Sequence, residues 1–249
     1  MTPLKPTEYK YLISPFWSDG GEMIKSTLQE LCLRGVLGLE ERWIYIDSRE
    51  THKRKRLYLV KGKNFTSYQT DSTAEQFLLT SFNRYEELSF AQVRNFITFH
   101  FKQDTDKFKD LYVYPDLKSR GLCSGTFFPT PFGRKEKLIL KLRLANINTN
   151  IDALIQSHNA LKSELDGIGL NIILLNKDVI DKLQEIDTKI TDLELLKFFG
   201  DNSSFDGLTS FSALGSFGSI GSFDFADASV GFDGFGGGDF GGGGASGDW

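Results

Sequence analysis

Leu31-Cys32-Leu33-Arg34-Gly35-Val36 and Leu117-Lys118-Ser119-Arg120-Gly121-Leu122 follow one pattern: an amphipathic helical stretch closes on Arg-Gly and runs into an apolar extended segment. Glycine just past a helix end takes the left-handed conformation that other residues resist, so each pair marks a helix stop. A third helix that ends in this way and passes into a hairpin is the plan of a winged-helix module. Two such endings in one chain predict tandem modules, whose usual work is binding nucleic acid or another protein.

Working outward from the first copy, Asp19 with Glu22 three residues on is a helix start, and Ile24, Leu28, Leu31 and Cys32 then share one face. Trp43-Ile44-Tyr45-Ile46 and Leu57-Tyr58-Leu59-Val60, joined by the polar stretch 47–56, read as a hairpin, the first wing. Around the second copy, Ser72-Thr73-Ala74-Glu75 and Ser89-Phe90-Ala91-Gln92 fit the capping box and predict helices through Phe82 and to about Phe101. A third helix from about Thr105 ends at Arg120-Gly121, and Leu122 to Phe128 is a short strand stopped by Pro129 and Pro131.

From Leu140 the spacing becomes heptad-like: Leu144, Ile147, Ile151, Leu154, His158, Leu161, Leu165, Ile168, Ile172, Leu175 and Val179 follow steps of three and four. Gly167 and Gly169 interrupt this seam, and its phase slips after Val179 to Leu183, Ile186, Ile190 and Leu193. The expectation is two helices folded back near Asp166 to Leu170, with an intermolecular coiled coil as the alternative. The chain is thus α+β, mainly α. Tandem winged-helix-like units at 1–70 and 71–133 precede a long helical hairpin or coiled coil at 134–200 and a disordered Gly/Phe/Asp tail at 201–249.

Charge divides at the same boundary. All 29 Lys and Arg precede Gly200, against 26 acids, so the body is +3; the last 49 residues hold seven Asp, eight Phe and 14 Gly and carry −7. A body so close to neutral lacks the field of a general nucleic-acid binder. Gly, Ser and Asp dominate the tail and its Phe residues follow no period of 2 or 3.6, so it builds no core. Cys32 and Cys123 are too few for a disulfide framework or zinc site and read as buried free thiols. No apolar run approaches the roughly 20 residues that cross a bilayer, and the amino-terminal residues do not resemble a secretion signal. A cytoplasmic protein is expected, at the membrane periphery if a partner takes it there.

One constellation points to a ligand. His52-Lys53-Arg54-Lys55-Arg56 lies at the expected tip of the first wing, where Lys53, Arg54, Lys55 and Arg56 would meet phosphates or the minor groove. The helix before it offers Lys25, Ser26, Gln29, Glu30 and Arg34, a mixed set without a base-reading face. His52, His100 and His158 sit in three elements with no metal-ligand spacing, and no nucleophile or acid–base signature emerges. No catalytic residue, cofactor or metal is expected.

The segment Leu28 to Leu37, the second Leu117 to Leu122, and the terminus from Phe235-Gly-Gly-Gly-Asp-Phe240 to Gly-Asp-Trp249 together resemble YciQ-like predicted bacterial membrane proteins of unknown function. The resemblance implies winged-helix-like segments followed by a glycine-rich tail, and it assigns no activity and no site residues. That family has transmembrane helices, for which this chain offers no segment. The expected function is therefore a non-enzymatic protein-interaction or scaffold module; the alternative is a winged-helix DNA binder acting through residues 52–56.

Overall fold

The computed structural model describes residues 3–45, 53–102, 104–125 and 128–189. The wing tip with His52, the seam positions Ile190 and Leu193, and the tail expected from 201 onward lie outside the described residues, as do the side chains of Arg54, Lys55 and His158.

Helix α1 (Pro6–Ile13) comes first, ahead of the helix that the sequence predicts from Asp19. Pro6 opens it at a position whose N–H would go unused, and the Glu8 carboxylate accepts the Lys5 backbone N–H at 2.8 Å. In α2 (Gly20–Leu33), Asp19 caps as expected, accepting from the Gly21 N–H at 2.7 Å. Strands β1 (Leu37–Tyr45) and β2 (Lys53–Lys61) pair antiparallel, from Leu37 opposite Lys61 to Tyr45 opposite Lys53. Helix α3 (Thr73–Thr80) follows, and then β3 (Glu87–Ser89) runs directly into α4 (Phe90–Phe101), whose Ser89–Gln92 capping box forms in both directions.

The expected third helix is there but is not uniform. A short α5 (Asp106–Phe108) widens into a π-helical turn (Lys109–Val113) before α6 (Tyr114–Ser119). Pro115, which has no N–H to give the ladder, sits at the exit from the wide turn. Where a short strand from Leu122 to Phe128 is expected, two two-residue strands pair antiparallel, β4 (Cys123–Ser124) with β5 (Phe128–Pro129).

Both Arg-Gly pairs close their helices in the same way. Val36 N–H reaches the Leu31 carbonyl at 3.0 Å and Gly35 N–H reaches Cys32 at 2.9 Å; Leu122 N–H reaches Leu117 at 2.9 Å and Gly121 N–H reaches Lys118 at 3.0 Å. The two glycines stand at φ +63° and +70°, so each is a Schellman turn that hands the chain to a strand one or two residues on.

Beyond these local turns the two halves diverge. The sheet order is β1-β2-β3, so β3, from the span 71–133, completes the sheet of the span 1–70 by pairing with Tyr58 to Val60. Buried apolar residues from Leu4 to Leu183 form one cluster. The fold is mixed α+β, mostly helical, with a small antiparallel sheet.

The heptad region also folds differently from expectation. Helix α7 (Pro131–Ile155) is followed at once by α8 (His158–Ile168), which packs antiparallel to it: Asn146 donates to Glu164 at 2.9 Å and Arg143 pairs with Glu164. The chain thus folds back first at Gln156–Ser157, ahead of the expected Asp166 to Leu170. There, a 3₁₀ turn (Gly169–Leu174) leads to α9 (Lys177–Lys189), which returns along α7 with Lys182 bound to Asp152 at 2.5 Å. Leu154 and Leu161 face the same core from either side of the turn, so the seam reads on through it.

Candidate functional site

The basic wing does not have the expected form. Lys53 to Arg56 are not in a loop but form the first half of β2, opposite Tyr45, Ile44, Trp43 and Arg42. The ladder continues through them because backbone pairing is indifferent to charged side chains where the ribbon runs out past the core. Strand alternation puts Lys53 and Arg56 on opposite faces, which divides the cations instead of gathering them. Lys53 lies 4.8 Å from the Tyr45 ring centroid, and the exposed Trp43 is on the same face. On the other face Arg42 covers the Tyr58 ring at 4.9 Å and bonds Glu87 at 2.7 Å.

Helix α2 has no face to offer a groove. None of its residues is exposed, and Ser26 and Glu30, read from sequence as part of its polar side, are buried. A recognition helix must present a free face to base edges, and α2 packs instead against α1, α3 and α5.

Glu30, among the polar residues of α2, enters an internal charge network. Arg34 bonds Glu30 at 2.7 Å; Lys5 pairs with Glu75, which also accepts from the Tyr68 hydroxyl at 2.6 Å; and Arg120 pairs with Glu8. Each Arg-Gly arginine is thus committed to a buried glutamate. Glu75 is diverted from the capping box expected of it, and Asp116 supports the start of α3 by bonding Ser72 and Thr73. Burial pushes the Glu30 carboxyl up to about 7, Arg34 and Lys5 pulling against it and Glu75 adding to it. Burial raises Glu75 too, but the Lys5 ammonium and hydrogen bonds from Lys5, Thr70 and Tyr68 more than reverse this, leaving it lowered. The cavity among these groups is about 10 Å³, room for about one water molecule and no substrate.

No cluster of His, Cys, Asp or Glu able to hold a metal exists among the described residues. Cys32 and Cys123 are free and buried, and burial raises both thiols, that of Cys123 to about 11. An open cleft of about 410 Å³ lies beside Phe16 and Trp17. Its carboxylates are in use: Asp19 and Asp106 bond the Gly21 and Gly20 N–H groups, and Asp104 pairs with Lys107. No helix among the described residues is long and apolar enough to cross a membrane.

The surface feature that the sequence reading missed is on α7. Its core face carries Leu140, Leu144, Ile147 and Ile151. On the opposite face Leu138, Ile139 and Leu142 are 54%, 41% and 60% exposed. Leu142 lies one turn from the other two, so the three form a contiguous apolar stripe. Arg134, Lys135 and Lys141 border it, all exposed and none in an ion pair among the described residues. The signal was present as Leu138-Ile139-Leu140-Lys141-Leu142, a run with too many apolar residues for one face.

A scan against protein-family models, a search of curated proteins and a search of solved structures give no match to this chain.

Proposed function

We propose that this protein is a non-enzymatic interaction module, built on two helix–Arg-Gly–strand units in the manner of winged-helix pairs, that docks partners on the outward face of α7. The observation that carries this reading is the stripe Leu138, Ile139 and Leu142, apolar and open to solvent on a helix whose other side is already in the core. Exposed apolar side chains that adjoin one another mark interaction surfaces, whereas scattered ones do not. The bordering cations select a partner segment that combines apolar side chains with carboxylates.

The test compares full-length protein with Leu138→Asp/Leu142→Asp. Proteins retained by each are identified by mass spectrometry, and the leading one is purified and titrated calorimetrically. The expected result is a partner bound by the first and lost by the second at unchanged circular dichroism. Equal binding by both would remove α7 as the site.

The second reading, nucleic-acid binding through Lys53, Arg54, Lys55 and Arg56, is supported by their place on a projecting two-stranded ribbon, a shape that the major groove admits. It would have to do without α2.

A further inference from the structure

We infer that the occupant of the outward α7 face, in the absence of another protein, is the acidic carboxy-terminal segment of the same chain. This rests on the reading of α7 as the docking surface and names what covers it. The complementarity is specific in both charge and chemistry. From Leu138 to Leu142 the helix offers three apolar side chains bordered by Arg134, Lys135 and Lys141. Residues 201–249 contain seven Asp and no Lys or Arg, and five of their eight Phe adjoin an Asp: Phe205, Phe223, Phe225, Phe232 and Phe240. Each such pair brings one ring for the stripe and one carboxylate for its border.

A docking segment of this kind needs no helical or strand period, since a single Phe-Asp pair spans one turn of α7. Four of these Phe fall within 223–240, beside Asp224, Asp233 and Asp239, so one contact can replace another as it leaves. Ordering the intervening glycines would cost more than such contacts return, which favours brief exchange among pairs over one fixed pose. Reach is sufficient. Lys182 ties α9 to Asp152, ten residues along α7 from Leu142, a distance of about 15 Å. The chain from Lys189 to Phe223 extends at most about 110 Å. Tethering then holds the pairs at an effective concentration on the order of millimolar, enough for weak contacts to occupy the stripe. An external partner must displace them, so the segment sets a threshold for docking.

The experiment uses the full chain with a spin label on Gly236→Cys, the native thiols Cys32 and Cys123 being buried, and reads side-chain methyl signals by NMR. The methyl groups of Ile139 and Leu142 should lose intensity relative to those of Ile13 and Leu111, which are also exposed. The loss should vanish in Lys135→Glu/Lys141→Glu, a pair of exposed positions where substitution leaves the core alone, and should shrink as salt is raised. Equal attenuation at all four residues would overturn the inference, as would Leu142 and Ile139 signals that respond to anionic lipid vesicles and not to the label. A partner captured on α7 without the label effect would sink this inference and spare the proposed function; the label effect without a captured partner would do the reverse.

Discussion

At the scale of single residues, the buried ionisable groups explain themselves as structure. Arg34 and Arg120, which attract attention in the sequence as part of a repeated motif, each satisfy a glutamate that the fold has taken out of water. Removing one partner of such a pair leaves an uncompensated buried charge, which costs about 3–5 kcal/mol. Glu30 makes the network sensitive to pH. Its folded carboxyl is raised to about 7 from an ordinary 4.5, so between those values the folded chain holds a proton that the unfolded chain has released. Stability therefore falls as pH rises through that window, is free of this penalty below about 4.5 and bears it fully above about 7, an effect of about 3 kcal/mol. Glu30→Gln keeps an acceptor for Arg34 and removes the titration. Its urea midpoint should lose the excess decline that the wild type shows between pH 5 and pH 8, and an unchanged decline would acquit Glu30. None of this was legible beforehand, because nothing in the spacing of Lys5, Glu30 and Glu75 says that they meet.

At the scale of elements, helix ends were read best, because a cap is a local negotiation between a side chain and the first free N–H or the last free carbonyl. Asp19, Ser72, Ser89, Gly35 and Gly121 all act where the sequence placed them. Gly121→Ala should lower unfolding stability by about 1 kcal/mol, since a Cβ there meets nothing and only the left-handed backbone resists it. Gly35→Ala should cost more. Its Cβ would come 3.2 Å from the Asn64 amide nitrogen, which donates to the Arg34 carbonyl at 2.7 Å. Urea denaturation of both variants decides this, and a neutral Gly121→Ala would show that the turn does not require glycine. The fold-back at Gln156–Ser157 escaped notice for an opposite reason. Periodicity reports which face is buried and stays silent where a chain turns and buries the same face again.

At the scale of the whole molecule, the separation of Lys53 and Arg56 onto two faces of a ribbon bears on what the protein can bind. Replacing Lys53, Arg54, Lys55 and Arg56 by Ala should leave partner affinity on α7 nearly unchanged, because exposed charges contribute little to an apolar interface. If the ribbon binds DNA, the same change would remove up to about four phosphate contacts and flatten the salt dependence of affinity by about 0.9 for each. A gel-shift titration at two salt concentrations separates these outcomes, and tight, salt-sensitive binding lost in the variant would favour the DNA reading. The sequence by itself determined the α+β, mainly helical class, the caps and helix stops, the buried thiols and the break in composition near Gly200. These depend on neighbours a few residues apart or on simple sums of charge and apolar content. Only the tertiary structure decided that β3 crosses to join β2, that Glu30 of α2 lies in a closed charge network, and that α7 keeps one apolar face for the core and leaves the other in water. Those outcomes depend on which surfaces meet across some thirty to more than a hundred residues, as Tyr58 meets Ser89 and Arg120 meets Glu8, and local spacing carries no record of that choice.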